Sequence, residues 1–223
     1  LRRVREWSVK HPRHVPVFIM LELKEDALGP GFTQPAPFDQ AQLANLESEI
    51  RSVFPREAIL TPDDVRGQSA TLPEVLRHSG WPSLDSVRGR VMFGMDNEDA
   101  VRDRYLEGHP ALEGRLLFVS VPATHPAAAW MKRNDPVGDF ERIQELVRNG
   151  FMVRTRADSD TAEARTNDPR KREQALASGA QFVSTDYPEP DARLGAGYSV
   201  VLPGGKEGRC NPVLSIAACT ATT

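Results

Sequence analysis

The chain has 223 residues, enough for one sizeable domain with a buried core. Its 28 basic and 31 acidic residues leave a net charge of −3, which lacks the basic footprint of a nucleic-acid binder. No apolar run approaches the roughly 18–20 residues of a membrane-spanning helix. No signal peptide is present, and Leu1 in place of a start methionine implies an N-terminus that was removed or is not included.

In chain order, the first element is the apolar run 15–21, interrupted only by Pro16, which predicts a strand buried on both faces. It ends in Glu22 and Lys24. Burying both unpaired would be costly, so they are expected to emerge at an open rim, on the same side of the strand. An ion pair between the two is the simpler reading. Residues 29–37 and 59–84 are rich in Pro, Gly, Asp and Ser and read as rim loops. Residues 38–54 carry Leu43, Leu46, Ile50 and Val53 at helical spacing, with Arg51 late.

The design of the first strand recurs four times. Arg90-Val91-Met92-Phe93-Gly94-Met95 ends in Asp96-Asn97, one of which should point inward; a ligand contact and a plain turn are both open. Arg115-Leu116-Leu117-Phe118-Val119 ends in Ser120. A helix over 137–149 follows, with Phe140, Ile143, Leu146 and Val147 on one face and Gly150 as its stop.

Gly150-Phe151-Met152-Val153 then runs into Arg154-Thr155-Arg156-Ala157-Asp158. There Arg154, Arg156 and Asp158 share a side. Two guanidiniums so placed make a fork for phosphate oxygens, with Asp158 orienting one of them. The alternative is an ion-pair network with Glu163 and Arg165. Asp168-Pro169 opens another helix, through Ala175 and Leu176 to Ser178-Gly179. The last strand, Ala180-Gln181-Phe182-Val183, ends in Ser184-Thr185-Asp186. Asp186 reads as a turn cap, and Tyr187 is placed to line a pocket and stack on a ring. From Pro188 the chain turns Gly/Pro-rich with one apolar patch at 198–202. Residues 1–190 therefore read as the core domain and 191–223 as an extension outside it.

The remaining polar residues narrow the chemistry. Cys210 and Cys219 are the only cysteines; a small disulfide of an exported protein and two free thiols are both open. His11 and His14 lie in a turn before the first strand, and His78, His109 and His125 in loops, as hydrogen-bonding residues. Trp81 and Trp130 fall beside prolines in loops, as packing residues or rim anchors. Ser120 and Ser184 lack a Gly-x-Ser-x-Gly setting, and no glycine-rich phosphate loop appears.

Strands alternating with helices make the fold class α/β. Polar groups at the C-terminal ends of buried parallel strands are how a (β/α)8 barrel builds its active site. Only about five strand–helix units are present, and sixteen residues precede Val17. The chain thus reads as the C-terminal part of a TIM barrel whose first strands are absent from it, in a second chain or outside the sequence.

In this order the segments resemble the phosphatidylinositol phospholipase C and glycerophosphodiester phosphodiesterase superfamily. Within it they are most similar to the bacterial calcium-dependent phosphoinositide phospholipase C family. The resemblance rests on Phe18-Ile19-Met20-Leu21-Glu22-Leu23-Lys24, on Gly89-Arg90-Val91-Met92-Phe93-Gly94-Met95-Asp96-Asn97 and on Met152-Val153-Arg154-Thr155-Arg156-Ala157-Asp158. The most specific segment is Ser178-Gly179-Ala180-Gln181-Phe182-Val183-Ser184-Thr185-Asp186-Tyr187-Pro188.

The resemblance implies a secreted or periplasmic bacterial phosphodiesterase with Ca2+ as cofactor, acting on phosphoinositides to give a cyclic inositol phosphate. It implies Glu22 as a metal ligand, and Lys24, Asp96, Arg154, Arg156 and Tyr187 as substrate contacts. The family's acid and base histidines and its other metal ligands lie on the first three strand ends, and none of those motifs occurs here. No catalytic residue is therefore assigned to this chain. The implied partners are a phospholipid or phosphodiester substrate, transiently a membrane surface, and possibly a second chain carrying the first strands; nucleic acid is not among them. A glycerophosphodiester phosphodiesterase and a non-catalytic lipid- or phosphate-binding module are the alternatives.

Overall fold

The apolar runs become parallel strands, gathered into two three-stranded sheets, one in each of two units, Leu1–Ala129 and Trp130–Thr223. The computed structural model describes residues 1–27, 29–194, 197–206, 208–214 and 219.

The first unit runs α1 (Arg2–Lys10), β1 (Val17–Leu21), α2 (Gln40–Val53), α3 (Pro62–Arg66), α4 (Leu72–His78), α5 (Leu84–Val87), β2 (Val91–Met95), α6 (Ala100–Leu106) and β3 (Leu117–Val119). Its sheet has the order β1-β2-β3, with Val17 opposite Val91, Leu21 opposite Met95 and Met95 opposite Val119. The central strand β2 is buried throughout, as its unbroken apolar sequence requires. Gly94 leaves room for the Phe18 ring, which would lie 2.4 Å from an added Cβ.

Asp39 caps α2 in a reciprocal box with Gln42, and Leu43 and Ile50 are fully buried beneath it. Glu47 is buried on the same helix. Its carboxylate accepts from the Tyr105 hydroxyl, from Leu116 N–H at 2.9 Å and from Arg51 at 3.1 Å, so the burial leaves it satisfied.

The stretch 59–84, expected as a rim loop, holds two short helices, α3 and α4, and the first residue of α5 instead. Thr61 and Thr71 accept from backbone N–H groups three residues on, and Pro62 and Pro73 sit in the first turns. Those prolines start helices rather than loops. Helix α1, for which the sequence carried no expectation, is tied down by its turn: Gly89 N–H donates to His14 O at 2.9 Å. Gly89 has φ +77°, and an added Cβ would stand 2.3 Å from the Pro12 carbonyl oxygen.

The second unit comprises β4 (Trp130–Lys132), α7 (Phe140–Arg148), β5 (Met152–Arg156), α8 (Ala162–Thr166), α9 (Arg170–Ala177) and β6 (Phe182–Ser184). Its order is β4-β5-β6, with Lys132 opposite Arg154 and Arg156 opposite Ser184. Trp130, expected in a loop, is fully buried as the first residue of β4. Helices α7 and α9 pack on β5. Asp168 takes the Arg170 N–H at 3.0 Å, so α9 begins at Arg170, beyond the Asp-Pro pair.

The tail is less external than its composition suggests. Tyr198 is 2% exposed and packs edge-on against Tyr187 beside Ala164. Asn211 Nδ2 donates to Gly179 O at 2.7 Å, seating the tail on the turn between α9 and β6. Cys210 and Cys219 form a disulfide. Residues 195–196, 207, 215–218 and 220–223 of the expected extension lie outside the described residues.

Candidate active site

The end of β1 presents two charges through a simple alternation. Leu23 is buried at 8% exposure, so its neighbours Glu22 and Lys24 both turn outward, with side chains 54% and 75% exposed. Lys24 Nζ lies 3.3 Å from Glu22 Oε2, so the ion pair forms. The pair remains accessible and screened by solvent, which leaves both groups open to exchange for a stronger ligand.

Beside them, Asp96 is half-buried and its N–H donates to Leu21 O at 2.7 Å, the last backbone rung between β1 and β2. The Asn97 carboxamide turns onto the backbone of Leu23. Its Oδ1 accepts from Leu23 N–H at 2.8 Å and its Nδ2 donates to Leu23 O at 3.0 Å. At the end of β3, Ser120 Oγ donates to Glu98 Oε1 at 2.7 Å.

The loop 25–38 leaves the same end of β1 and is closed at its base. Glu25 receives Arg104 Nη2 at 2.6 Å and Phe38 N–H at 2.9 Å, while Arg104 Nε donates to Phe38 O at 2.8 Å. The Arg104 guanidinium holds the Glu25 carboxyl below its usual range. Glu25 is thus committed to the loop. At the loop's far side Phe32 is 61% exposed.

In the second unit the arginines of β5 differ in their surroundings. Arg154 Nη1 donates to Asn134 Oδ1 at 2.5 Å. Among the described residues no hydrogen bond or ion pair engages the Arg156 guanidinium, which is half-buried. Asp158, expected to orient an arginine, does something else. It is 2% exposed, and its carboxylate accepts from the Thr185 hydroxyl, from Asp186 N–H at 2.9 Å and from Tyr198 OH at 3.5 Å. It fastens the segment after β6 to the end of β5, because a buried carboxylate takes the nearest donors it can keep.

Tyr187 is 8% exposed, with its ring against Tyr198 and its hydroxyl donating to Asp160 O at 2.8 Å. It lies in the wall of a cleft of about 460 Å³ with Arg165, Asp186, Asp191 and Arg193, and most of its ring face is covered, which differs from the open stacking surface expected. Arg193 is paired with Asp191 at 2.6 Å, and that guanidinium draws the Asp191 carboxyl down to about 2.

The histidines hold turns. His14 Nδ1 donates to Val15 O at 2.5 Å, and its Nε2 lies 2.8 Å from the Ser8 hydroxyl. His11, His78 and His109 each donate Nδ1–H to a backbone carbonyl. His78 ends helix α4 instead of lying in a loop. His125 Nδ1 accepts from Ala127 N–H at 3.1 Å, and burial together with the nearby Arg102 pushes its imidazole below the usual range.

Calcium takes about six to eight oxygen ligands. Among the described residues no group of three or more His, Cys, Asp or Glu side chains is gathered to hold a metal ion. Glu22 can supply one carboxylate; the donor set for calcium is not complete in these residues.

The roles of Asn97 and Asp158 had little signal in the sequence. Their partners lie 74 and 27–40 residues away along the chain, beyond any local pattern.

Residues 1–212 match the family model "Phosphoinositide phospholipase C, Ca2+-dependent". Among solved structures the chain is similar to a Ca2+-dependent phosphatidylinositol-specific phospholipase C from Streptomyces antibioticus, with 19% identity and a TM-score of 0.58, over 82% of this chain and 68% of that one. It is also similar to a calcium-dependent phosphoinositol-specific phospholipase C from a Pseudomonas species. One structure of it gives 16% identity and a TM-score of 0.55, over 82% of this chain and 64% of that one. Another crystal form gives 17% and 0.56, over 92% and 66%. At these identities the likeness is one of fold, an α/β architecture with parallel sheets, and the chain spans about two thirds of the length of these structures. No curated protein matches it in sequence. The match across residues 1–212 is the decisive finding: the chain belongs to the Ca2+-dependent phosphoinositide phospholipase C family.

Proposed function

We propose that this chain is the C-terminal part of a (β/α)8 barrel enzyme that cleaves phosphoinositides in a calcium-dependent manner, completed by strands outside the sequence. The observation that carries the reading is the outward Glu22–Lys24 pair at the end of β1, in a chain matched to the family over residues 1–212. Calcium, when bound, supplies positive charge against the phosphodiester. Glu22 is one candidate ligand; the described residues do not complete the donor set, and the remaining ligands come from elsewhere.

The chain's own residues bind and orient. Arg156 meets phosphoryl oxygens with a planar fork, and Arg154 assists from the position that Asn134 fixes. Lys24 exchanges Glu22 for a phosphate oxygen as a point charge. Asp96 receives a hydroxyl of the head group, and Tyr187 lines the cleft of its own unit with Arg165, Asp186, Asp191 and Arg193. The groups that move protons at the attacking and departing oxygens belong to the part outside this sequence.

Two features support the setting. Phe32 stands exposed on a loop that leaves the Glu22 end of β1, and the segment 27–37 carries no charged residue, so it suits transient contact with a lipid surface. The Cys210–Cys219 disulfide suits a secreted or periplasmic location.

The test is product analysis with the full-length protein on phosphatidylinositol and on glycerophosphoinositol, followed by phosphorus NMR. Cyclic inositol phosphate is the expected product. Release of glycerol phosphate would assign a glycerophosphodiester phosphodiesterase instead, and lipid binding without cleavage of either substrate would assign a binding module.

A further inference from the structure

The β1·β2 ladder has a parallel register in which Val17, Ile19 and Leu21 stand opposite Val91, Phe93 and Met95. Val17 N–H donates to Arg90 O at 3.2 Å, and Leu21 O accepts from Asp96 N–H at 2.7 Å. In such a ladder a residue donates to the carbonyl before its partner and accepts from the amide after it. Continued by one repeat, Leu23 would stand opposite Asn97, donate to the Asp96 carbonyl and accept from the Glu98 amide.

Both places are taken by one side chain. The Asn97 carboxamide accepts from Leu23 N–H at 2.8 Å and donates to Leu23 O at 3.0 Å. A carboxamide is the one side-chain group with the donor and acceptor of a peptide side by side.

We infer that Asn97 is a positioning residue: its amide stands in for the next rung of the sheet and fixes the direction in which Glu22 and Lys24 leave it. The consequence follows from the strand's two-residue period. With Leu23 held at 8% exposure, Glu22 and Lys24 must face outward together, and they do, 3.3 Å apart. Without the clamp, the three residues lie beyond the last backbone rung and can turn about the chain. A carboxylate that must meet an ion within a few tenths of an ångström then spends only a fraction of its time in place, and apparent affinity falls by that fraction.

The geometry also separates this role from plain stabilisation. Five register pairs of β1 and β2 lie before the clamp and do not depend on it. The inference rests on the calcium-dependent phospholipase reading of Glu22.

Its test uses the full-length protein with Asn97→Ala and the near-isosteric Asn97→Asp, which keeps the acceptor for Leu23 N–H and loses the donor to Leu23 O. The expected result is a tenfold or greater rise in the calcium concentration for half-maximal cleavage of phosphatidylinositol in Asn97→Ala. A smaller rise is expected in Asn97→Asp, and a melting temperature without calcium within a few degrees of the parent in both. A purely structural residue would lower the melting temperature and leave the calcium midpoint where it was; that result, or no change in either quantity, overturns the inference. If neither variant folds, hydrogen exchange in the parent decides. Leu23 N–H protected as strongly as the amides of β1 supports the clamp, and exchange as fast as in the loop 29–34 refutes it. A parent protein that cleaves no phosphoinositide at any calcium concentration overturns the phospholipase reading itself, which these variants would not.

Discussion

Asp158 offers the sharpest quantitative test of the second unit. Its carboxylate, 2% exposed, holds the Thr185 hydroxyl and the Asp186 N–H, with Tyr198 OH at the outer limit of hydrogen-bond distance. A hydrogen bond to a charged partner contributes about 1.5–3 kcal/mol, and a buried donor left alone costs about the same order. Asp158→Ala, which removes both close bonds, should therefore cost roughly 3–5 kcal/mol. For a chain of this length that is a fall in melting temperature of roughly 6–20 °C, at about 2–4 °C per kcal/mol.

Asp158→Asn keeps one acceptor for Asp186 N–H and turns an NH2 toward Thr185 Oγ1, which already accepts from Tyr187 N–H at 2.9 Å. Its cost should be smaller, about 1–2 kcal/mol. Thermal and urea unfolding of Asp158→Asn, Thr185→Val and the double variant would measure the coupling directly. The expected coupling is about 1–2 kcal/mol. Strict additivity, or an Asp158→Ala melting temperature equal to that of the parent, would show that the buried carboxylate does not hold the end of β6.

Three further outcomes follow from local geometry. Gly89→Ala should be far more damaging than Gly108→Ala: both glycines have positive φ, about 1–2 kcal/mol for a side chain there, but only Gly89 brings a Cβ to 2.3 Å from a backbone oxygen, and comparative melting curves would test the ranking. For Asp64, burial raises the carboxyl pKa, but hydrogen bonds from Arg56 and Thr61 outweigh it and the folded value lies below the ordinary one. That stabilisation is present above the unfolded pKa of about 3.9 and is lost as pH falls through the folded value. Urea unfolding from pH 6 downward should thus find Arg56→Met destabilised at pH 6, with the gap to the parent shrinking as the pH falls below about 4; a gap that does not change with pH would contradict the pairing. Arg156→Met should lower kcat/KM for phosphatidylinositol at least tenfold, about 1.4 kcal/mol, with an unchanged melting temperature, and steady-state kinetics of the full-length protein would detect an unaltered value.

Strands were the most legible part of the sequence, because apolar runs mark them: the predicted runs contain β1, β2 and β3 and overlap the starts of β5 and β6. Burial on both faces holds only for β2 and β3; β1, expected to share it, is half-buried along its length, as is β6, and β5 alternates. β4 was not legible: three residues, Trp130, Met131 and Lys132, follow an Ala-Ala-Ala segment after a proline, with no period to detect. The helices within 59–84 did announce themselves, in Thr61-Pro62 and Thr71-Leu72-Pro73, but the density of Pro, Asp and Ser argued for a loop; capping chemistry outweighed composition there.

At the candidate site, the outward turn of Glu22 and Lys24 followed from alternation about Leu23, a local rule. The clamp from Asn97, the diversion of Asp158 to Thr185 and the covering of Tyr187 by Tyr198 depend on pairs brought together only by the fold. No spacing in the chain encodes them.

The most direct measurement of the central claim is a calcium titration of Glu22→Gln in the full-length protein, read both as cleavage of phosphatidylinositol and as melting temperature, with Lys24→Met beside it. Glu22→Gln keeps size and hydrogen bonding and removes one negative charge. A calcium ligand at Glu22 requires loss of most activity with partial recovery at high calcium, together with a smaller calcium-induced rise in melting temperature, since only the binding-competent form is stabilised. Unchanged calcium dependence of both quantities, with Lys24→Met giving the same small effect, would reduce Glu22 to the partner of Lys24 and contradict the assignment.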